Sequence, residues 1–423
     1  MNILSTKRSR NAAAAALALT GSLLALAGVA STAGAPAGAD PQSASAFVGV
    51  GADVTQDLYA AYTGASPAPP YGNTTFYTPI SSSAATDDLT IQSFDANGFN
   101  QLTTQASGIT TKAGGPAFDR PNSTTAGVAA LEDSITATGW EAAGTAQAPS
   151  YTGTPVSVTG QIDFARAARG PKGSGTNLTW IPFARDALGF IYYDHGDGTL
   201  STLTLTTAQI TAIYSSSNGE ATITNDGNTD TVEGCLTITG STPRSNLESL
   251  TGITDSTSVG YAGCNQLTQN SGNAFESYAS TLPAGTDAII PISSGSWIGQ
   301  ANGVGVDRSN LARGVTGYGL ATIQNAGGTV LGQPYTLGGT GGTTEIPNTT
   351  YYQDAHYGYN IYTVVPGTDL SGLSKNNAII SLFSGPTSAL CSSAAQATAN
   401  LFGFDSLVAG EGTCGSTTQK GSA

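Results

Sequence analysis

Ile181-Pro-Phe-Ala-Arg-Asp-Ala-Leu-Gly-Phe-Ile-Tyr192 is followed, past a polar turn at Asp194-His195-Gly-Asp197-Gly198, by Leu205-Thr-Thr-Ala-Gln-Ile-Thr-Ala-Ile-Tyr214. The first stretch carries two short apolar strand candidates, Ile181–Phe183 and Leu188–Tyr193. In the second, Thr206 and Gln209 stand at capping-box spacing and Ile210 and Ile213 share a face, which predicts a helix over Thr207–Tyr214. The same alternation recurs outward in both directions. Phe47–Val50, Ala288–Ile290 and Tyr359–Val365 read as strands, and Gln56–Tyr62, Thr124–Glu132 and Ser388–Phe402 as helices. Strands interleaved with helices predict an α/β architecture. The cluster Gly338-Gly-Thr-Gly-Gly342 reads as a loop.

The chain has 423 residues, with 14 Lys and Arg against 28 Asp and Glu and a formal net charge of −14. That balance argues against a nucleic-acid binder, whose affinity comes from cations that neutralise phosphates. Charged residues make up 10%, against roughly 25% in an ordinary soluble domain. With 39% hydrophobic residues there is still ample material for a core. Lys7, Arg8 and Arg10 precede an apolar run from Ala12 to about Ala30 and the small-residue stretch Ser31–Ala39, the pattern of a secretory signal peptide over 1–39. Cleavage there removes three cations and no acid, taking the net charge from −14 to −17. Residues 40–46 are expected to be a flexible segment and 416–423 a flexible tail. The protein is expected to be secreted, outside the cell or associated with its wall.

Cys235, Cys264, Cys391 and Cys414 form an even set in an exported chain, which predicts disulfides. Three pairings are possible, and the local one closes two loops of under about 30 residues, each contributing on the order of 3 kcal/mol. No C-x-x-C pair or Cys/His cluster marks a zinc site. The acidic turn Asn225-Asp-Gly-Asn-Thr-Asp230 has the Gly and Glu of a calcium loop misplaced. The two histidines, His195 and His356, accompany no G-x-S-x-G, H-E-x-x-H or G-x-x-x-x-G-K-[ST] motif. No enzyme activity, metal or cofactor is expected.

Positive charge is scarce, so its placement is informative. Arg120 lies in Asp119-Arg-Pro-Asn-Ser-Thr-Thr-Ala-Gly127, Arg166 and Arg169 in Asp163-Phe-Ala-Arg-Ala-Ala-Arg-Gly170, and Arg244 in Thr239-Gly-Ser-Thr-Pro-Arg244. All three segments read as loops leading into helices. Hydroxyls, exposed amides and a helix N-terminus beside an Arg make an anion cradle. Alternatively, each Arg pairs with a nearby Asp and each hydroxyl caps its helix.

In their order along the chain these segments resemble the phosphate-binding component of phosphate ABC transporters. The matching stretches are Gly49-Val-Gly-Ala-Asp-Val-Thr-Gln-Asp-Leu-Tyr59, Ser123-Thr-Thr-Ala-Gly-Val128, Asp163–Ala168, Ile181–Tyr192, Leu205–Tyr214, Gly240-Ser-Thr-Pro-Arg244 and Tyr359–Pro366. The resemblance implies a two-lobed type 2 periplasmic-binding-protein-like fold with a hinge and a central cleft. Lobe 1 would take 47–185 plus 351–415, and lobe 2 would take 186–350. It implies a monomer that captures a small anionic, phosphate-like solute and hands it to an ABC permease. The cleft residues would be Asp53, Thr55, Thr124, Thr125, Arg166, Ser241, Thr242 and Arg244, with Arg120 and Arg169 in supporting roles. Two positions depart from the family pattern: Asp53 replaces a ligand hydroxyl, and Ala168 stands where an Asp accepts the phosphate proton. A structural or adhesive extracellular protein on the same fold, and a secreted hydrolase with an unlocated carboxylate pair, remain the competing readings.

Overall fold

β-Branched and glycine residues in Phe47-Val-Gly-Val-Gly51 form a strand buried on both faces (β1), as expected for a parallel pairing. The computed structural model describes residues 47–63, 91–96, 109–140, 155–174, 177–195, 200, 204–225, 228–254, 264–265, 267, 272–339 and 341–422. The expected signal peptide (1–39) and the segment 40–46 lie outside these. After β1 a 3-10 turn, Asp53–Thr55, leads into α1 (Gln56–Tyr62), which buries Leu58, Tyr59, Ala61 and Tyr62. Then come β2 (Ile91–Ser93), α2 (Thr124–Thr136), β3 (Gly139–Trp140), β4 (Val156–Ser157), β5 (Phe164–Ala167) and the 16-residue β6 (Leu178–Tyr193). β7 (Thr204–Thr206), α3 (Thr207–Ser215), β8 (Glu220–Asn225), β9 (Asn228–Gly234), α4 (Thr242–Thr251) and α5 (Asn273–Ala279) follow. The chain continues through β10 (Thr286–Ser293), α6 (Ser294–Ala301), β11 (Tyr318–Leu320), β12 (Thr322–Gln324), β13 (Val330–Gly332), β14 (Tyr335–Gly338) and β15 (Thr344–Pro347). It closes with α7 (Thr349–Tyr352), β16 (Gly358–Pro366), α8 (Asn377–Phe383), α9 (Ser393–Leu401) and β17 (Gln419–Lys420).

Among the described residues, the main sheet runs in the order β2-β1-β5-β16-β6-β10-β9-β8, with β11 and β17 also paired to β6. It is a mixed sheet: β1 is parallel to β2 and β5, β10 is parallel to β9, and β16 and β10 are antiparallel to β6. β6 joins its two halves, because its first part pairs with β16 and its last six residues pair with β10. The sequence reads Ile181–Phe183 and Leu188–Tyr193 as separate strands; they are one. Ala-Arg-Asp-Ala between them looks like a break, yet Arg185 and Asp186 are buried and bonded inside the sheet. Pro182 is accommodated by a bulge, since Ile361 faces Ala184 and Tyr362 faces Pro182, leaving Phe183 as the extra residue.

The apolar core follows the same division. One cluster, around Phe190, Tyr214, Phe275 and Trp297, is built wholly from residues 187–357. Two others, around Tyr59, Phe164 and Phe383 and around Phe94, Phe118 and Trp180, come from 48–184 with Val304 and 361–404. Both disulfides take the local pairing, Cys235–Cys264 and Cys391–Cys414. Thr206 and Gln209 form the expected capping box of α3. The helix expected over Ser388–Phe402 divides into a 3-10 turn, Ala389–Cys391, and α9, because the Ser392 hydroxyl accepts from the Ala395 amide and starts a new helix there. Asp163–Gly170 does not lead into a helix as a loop; its centre is the interior strand β5. The residues expected as a flexible tail add β17 to β6, and the Trp180 indole donates to the Gly421 carbonyl at 2.8 Å. No helix among the described residues is long and apolar enough to cross a membrane.

Two glycines bring α2 against the end of β1. A Cβ on Gly127 would lie 2.4 Å from the Gly51 Cα. Gly51 itself has φ +118°, and a Cβ there would meet the Arg166 carbonyl oxygen at 2.6 Å. Alanine favours a helix interior by about 1 kcal/mol over glycine. Gly127→Ala is nonetheless expected to destabilise by about 1–3 kcal/mol in urea unfolding, since backbone rather than a side-chain tip opposes the methyl. A stabilised variant would show that α2 and β1 can separate without cost.

Candidate functional site

The parallel strands β1, β2 and β5 end together, and buried charge collects at their C-terminal ends. Arg166 on β5 is fully buried; its Nε donates to the Ala52 carbonyl (3.1 Å), Nη2 to the Gly51 carbonyl (3.1 Å) and Nη1 to the Ser93 hydroxyl (2.6 Å). Arg120 donates to the Asp95 carbonyl oxygen at 2.7 Å. Burial pushes the Asp95 carboxyl up to about 7, Asp57 adds to the rise, and Arg308, Arg166 and Arg120 oppose it. Burial likewise brings Arg166 down to about 10, against the pull of Asp95, Tyr59 and Asp53. The guanidinium therefore stays protonated at neutral pH, held within a cluster of both signs.

Beside this cluster lies a crevice between the start of α1 and α6. Asp53, Gln56 and Asp57 line one side, Gly295, Ser296 and Arg308 the other, and Phe402 and Phe404 close it with apolar surface. The cavity is about 20 Å³, room for roughly one water. Asp57 and Arg308 form a two-point ion pair across it, Nη1 to Oδ2 at 2.7 Å and Nη2 to Oδ1 at 3.1 Å. The Val306 amide also donates to Asp57 Oδ2 (3.1 Å), and the Ser296 hydroxyl donates to the Val54 carbonyl (3.3 Å). Gln56 Oε1 accepts from the Ala96 amide at 2.9 Å. The Thr55 hydroxyl is buried without a hydrogen-bond partner among the described residues.

No family model and no curated protein matches the chain. Among solved structures, it is similar to a phosphate ABC transporter substrate-binding protein from Clostridium perfringens with bound phosphate, at 12% identity and a TM-score of 0.43, covering 86% of this chain and 100% of that one. An ABC-type phosphate transport receptor from Vibrio cholerae gives 15% identity and a TM-score of 0.42 over 85% and 99% of the two chains. A human phosphate-binding apolipoprotein gives 11% and 0.40 over 86% and 91%.

The structure distributes the eight residues singled out in the sequence between two places. Asp53, Thr55, Thr124 and Arg166 surround the end of β1. Only Asp53 among the eight lines the crevice. Thr124 Oγ1 accepts from the Ala168 amide (2.9 Å), and Thr125 Oγ1 accepts from Arg169 (2.5 Å). These bonds tie α2 to the end of β5. Ser241, Thr242 and Arg244 open α4, where Ser241 accepts from the Arg244 amide (3.3 Å) as the N-cap. Arg244 donates to Glu248 Oε1 (3.1 Å), the Thr237 carbonyl (2.9 Å) and Asn265 Oδ1 (3.2 Å). Both arginines expected to meet a ligand are therefore engaged by the protein itself. The sequence reading missed Gln56, Asp57, Ser296 and Arg308. Ser293-Ser-Gly-Ser296 directly after an apolar strand was the available signal for the far wall. Glu233, Cys235 and Cys264 bring three atoms of metal-ligand type within 4.8 Å of one another, but both sulfurs are held in the disulfide.

Proposed function

We propose that this protein is an extracellular solute-binding protein with two α/β lobes, 47–185 plus 351–415 and 186–350, that captures a small polar solute in the crevice between them. One observation carries the reading: Asp53, Gln56 and Asp57 from the first lobe and Ser296 and Arg308 from the second converge on one crevice. It lies beyond the C-terminal ends of parallel strands, where open α/β sheets take ligands. The two disulfides suit an oxidising compartment.

The solute is neutral or cationic rather than a bare anion such as the phosphate of the proteins it resembles. Two carboxylates face the crevice against one arginine, and that arginine is paired. Two negative charges about 4 Å apart repel by roughly 4 kcal/mol at an effective dielectric of about 20, nearly three powers of ten in affinity. The test is calorimetric titration of phosphate, a polyol series and small amines into the purified protein. A polyol or amine is expected to bind saturably and to lose binding in Asp53→Ala, while phosphate gives no heat at millimolar concentration. A saturable phosphate isotherm overturns the ligand class. A second reading, a structural extracellular protein, is favoured by the small cavity and the ion pair across it, and predicts that no member of the panel binds.

A further inference from the structure

Asp186 sits where β6 changes partners. Through Ala187 the strand pairs with β16, Asp186 opposite Tyr359, and from Leu188 it pairs with β10, Leu188 opposite Ser293. Such a change of neighbours leaves a gap beyond the strand ends, the usual place for a ligand in an open α/β sheet. Here the gap is filled from within the chain. The Asp186 carboxylate is completely buried, and each oxygen accepts two hydrogen bonds. Oδ1 receives the amides of Ala187 (2.7 Å) and Gly295 (2.9 Å), and Oδ2 receives the hydroxyls of Ser293 (2.6 Å) and Tyr359 (2.7 Å). Gly295 lies in the first turn of α6 and Ser293 is its N-cap, so the carboxylate also meets the positive end of that helix. Two backbone amides, two hydroxyls and a helix N-terminus are the donor set with which proteins hold a free oxyanion.

We infer that Asp186 is a built-in anionic ligand: its carboxylate permanently occupies an oxyanion cradle at the junction of the two halves of the sheet. It fastens β6, β16 and α6 together as a bound anion does in a protein that closes on one. The ionised carboxylate satisfies this site fully, since four donors meet its four acceptor positions. Gly295 also lines the crevice that holds Asp53, so the cradle forms a wall of that crevice and leaves no place there for a second oxyanion. The role of Asp186 does not depend on whether the crevice takes a solute.

Chemical rescue tests it. Asp186→Ala removes the carboxylate and keeps the donors, and its thermal midpoint is expected to fall by at least about 5 °C. Sodium formate should restore part of that loss with a saturable dose dependence. Formamide, of the same size but uncharged, and sodium chloride should not, and the wild-type protein should not respond to any of the three. A variant with an unchanged midpoint, or one that formate and formamide restore alike, overturns the inference. Should Asp186→Ala fail to fold with or without formate, urea unfolding of Asp186→Asn decides. The amide fills the cradle but turns a donor toward donors, so a lowered urea midpoint without formate response is expected, and a wild-type midpoint overturns the assignment.

Discussion

Arg166→Met is expected to lose about 3–5 kcal/mol of stability, the cost of removing one partner from a buried charge cluster. Three consequences add up. The Gly51 and Ala52 carbonyls and the Ser93 hydroxyl lose their donor, and an unsatisfied buried acceptor costs about 1–3 kcal/mol. Asp95 loses one of the three arginines that oppose the rise in its titration. The end of β1, and with it the turn that carries Asp53, loses its fixed point. Arg166→Lys should recover only part of the loss, because one ammonium cannot span acceptors placed for a planar fork. Arg313→Met provides the contrast: its side chain is 61% exposed, and its buried partner Glu276 also accepts from Asn310 Nδ2 at 3.3 Å, so a loss of only about 1 kcal/mol is expected. Urea unfolding of the variants checks this. Equal losses at Arg166 and Arg313 would mean that the cluster at the end of β1 is not held by the guanidinium.

That cluster marks where the sequence was legible and where it was not. α1 spans Gln56–Tyr62 as expected because its apolar spacing is local and its neighbours in sequence already decide its buried face. The capping box at Thr206 and Gln209 is likewise complete within four residues. Arg166 misled because Asp163–Gly170 reads locally as a loop leading into a helix, whereas its centre is a buried strand. The acceptors of Arg166 are the carbonyls of Gly51 and Ala52, more than 110 residues earlier. Asp186 misled for the same reason: its partners Ser293 and Tyr359 lie 107 and 173 residues away, and without them an Asp in mid-strand reads as an interruption. The crevice shows the limit most plainly. Asp53 was singled out because it departs from the loop pattern of the family the sequence resembles, whereas Asp57 acquires its meaning from Arg308, 251 residues later. Local periodicity reports propensity and burial, while the pairing of buried charges is a property of the folded topology.

The same buried charges predict a protein that gains stability as the medium is acidified below neutral. Among the described residues, Asp95, Asp119, Glu132, Glu233, Glu345 and Asp369 are shifted upward, with burial as the leading cause in each case. Asp95 and Glu345 reach about 7, against about 3.9 and 4.3 in an unfolded chain. A carboxyl raised on folding binds its proton more tightly in the native state. Its favourable contribution is complete below the unfolded value and is lost as pH rises through the folded one. Between about pH 5 and 7 Asp95 and Glu345 therefore each change stability by on the order of 1 kcal/mol per pH unit, with the folded state gaining on the acid side. Protonation also reduces the self-repulsion of a chain with a net charge of −14. Urea midpoints measured from pH 8 to pH 5 should rise. Asp95→Asn, which imitates the protonated carboxyl, should match or exceed the wild type at pH 8 and show a slope shallower by close to one proton. A wild-type midpoint that falls on acidification, or an Asp95→Asn slope identical to it, would show that Asp95 stays ionised between Arg120, Arg166 and Arg308, and that these arginines outweigh its burial.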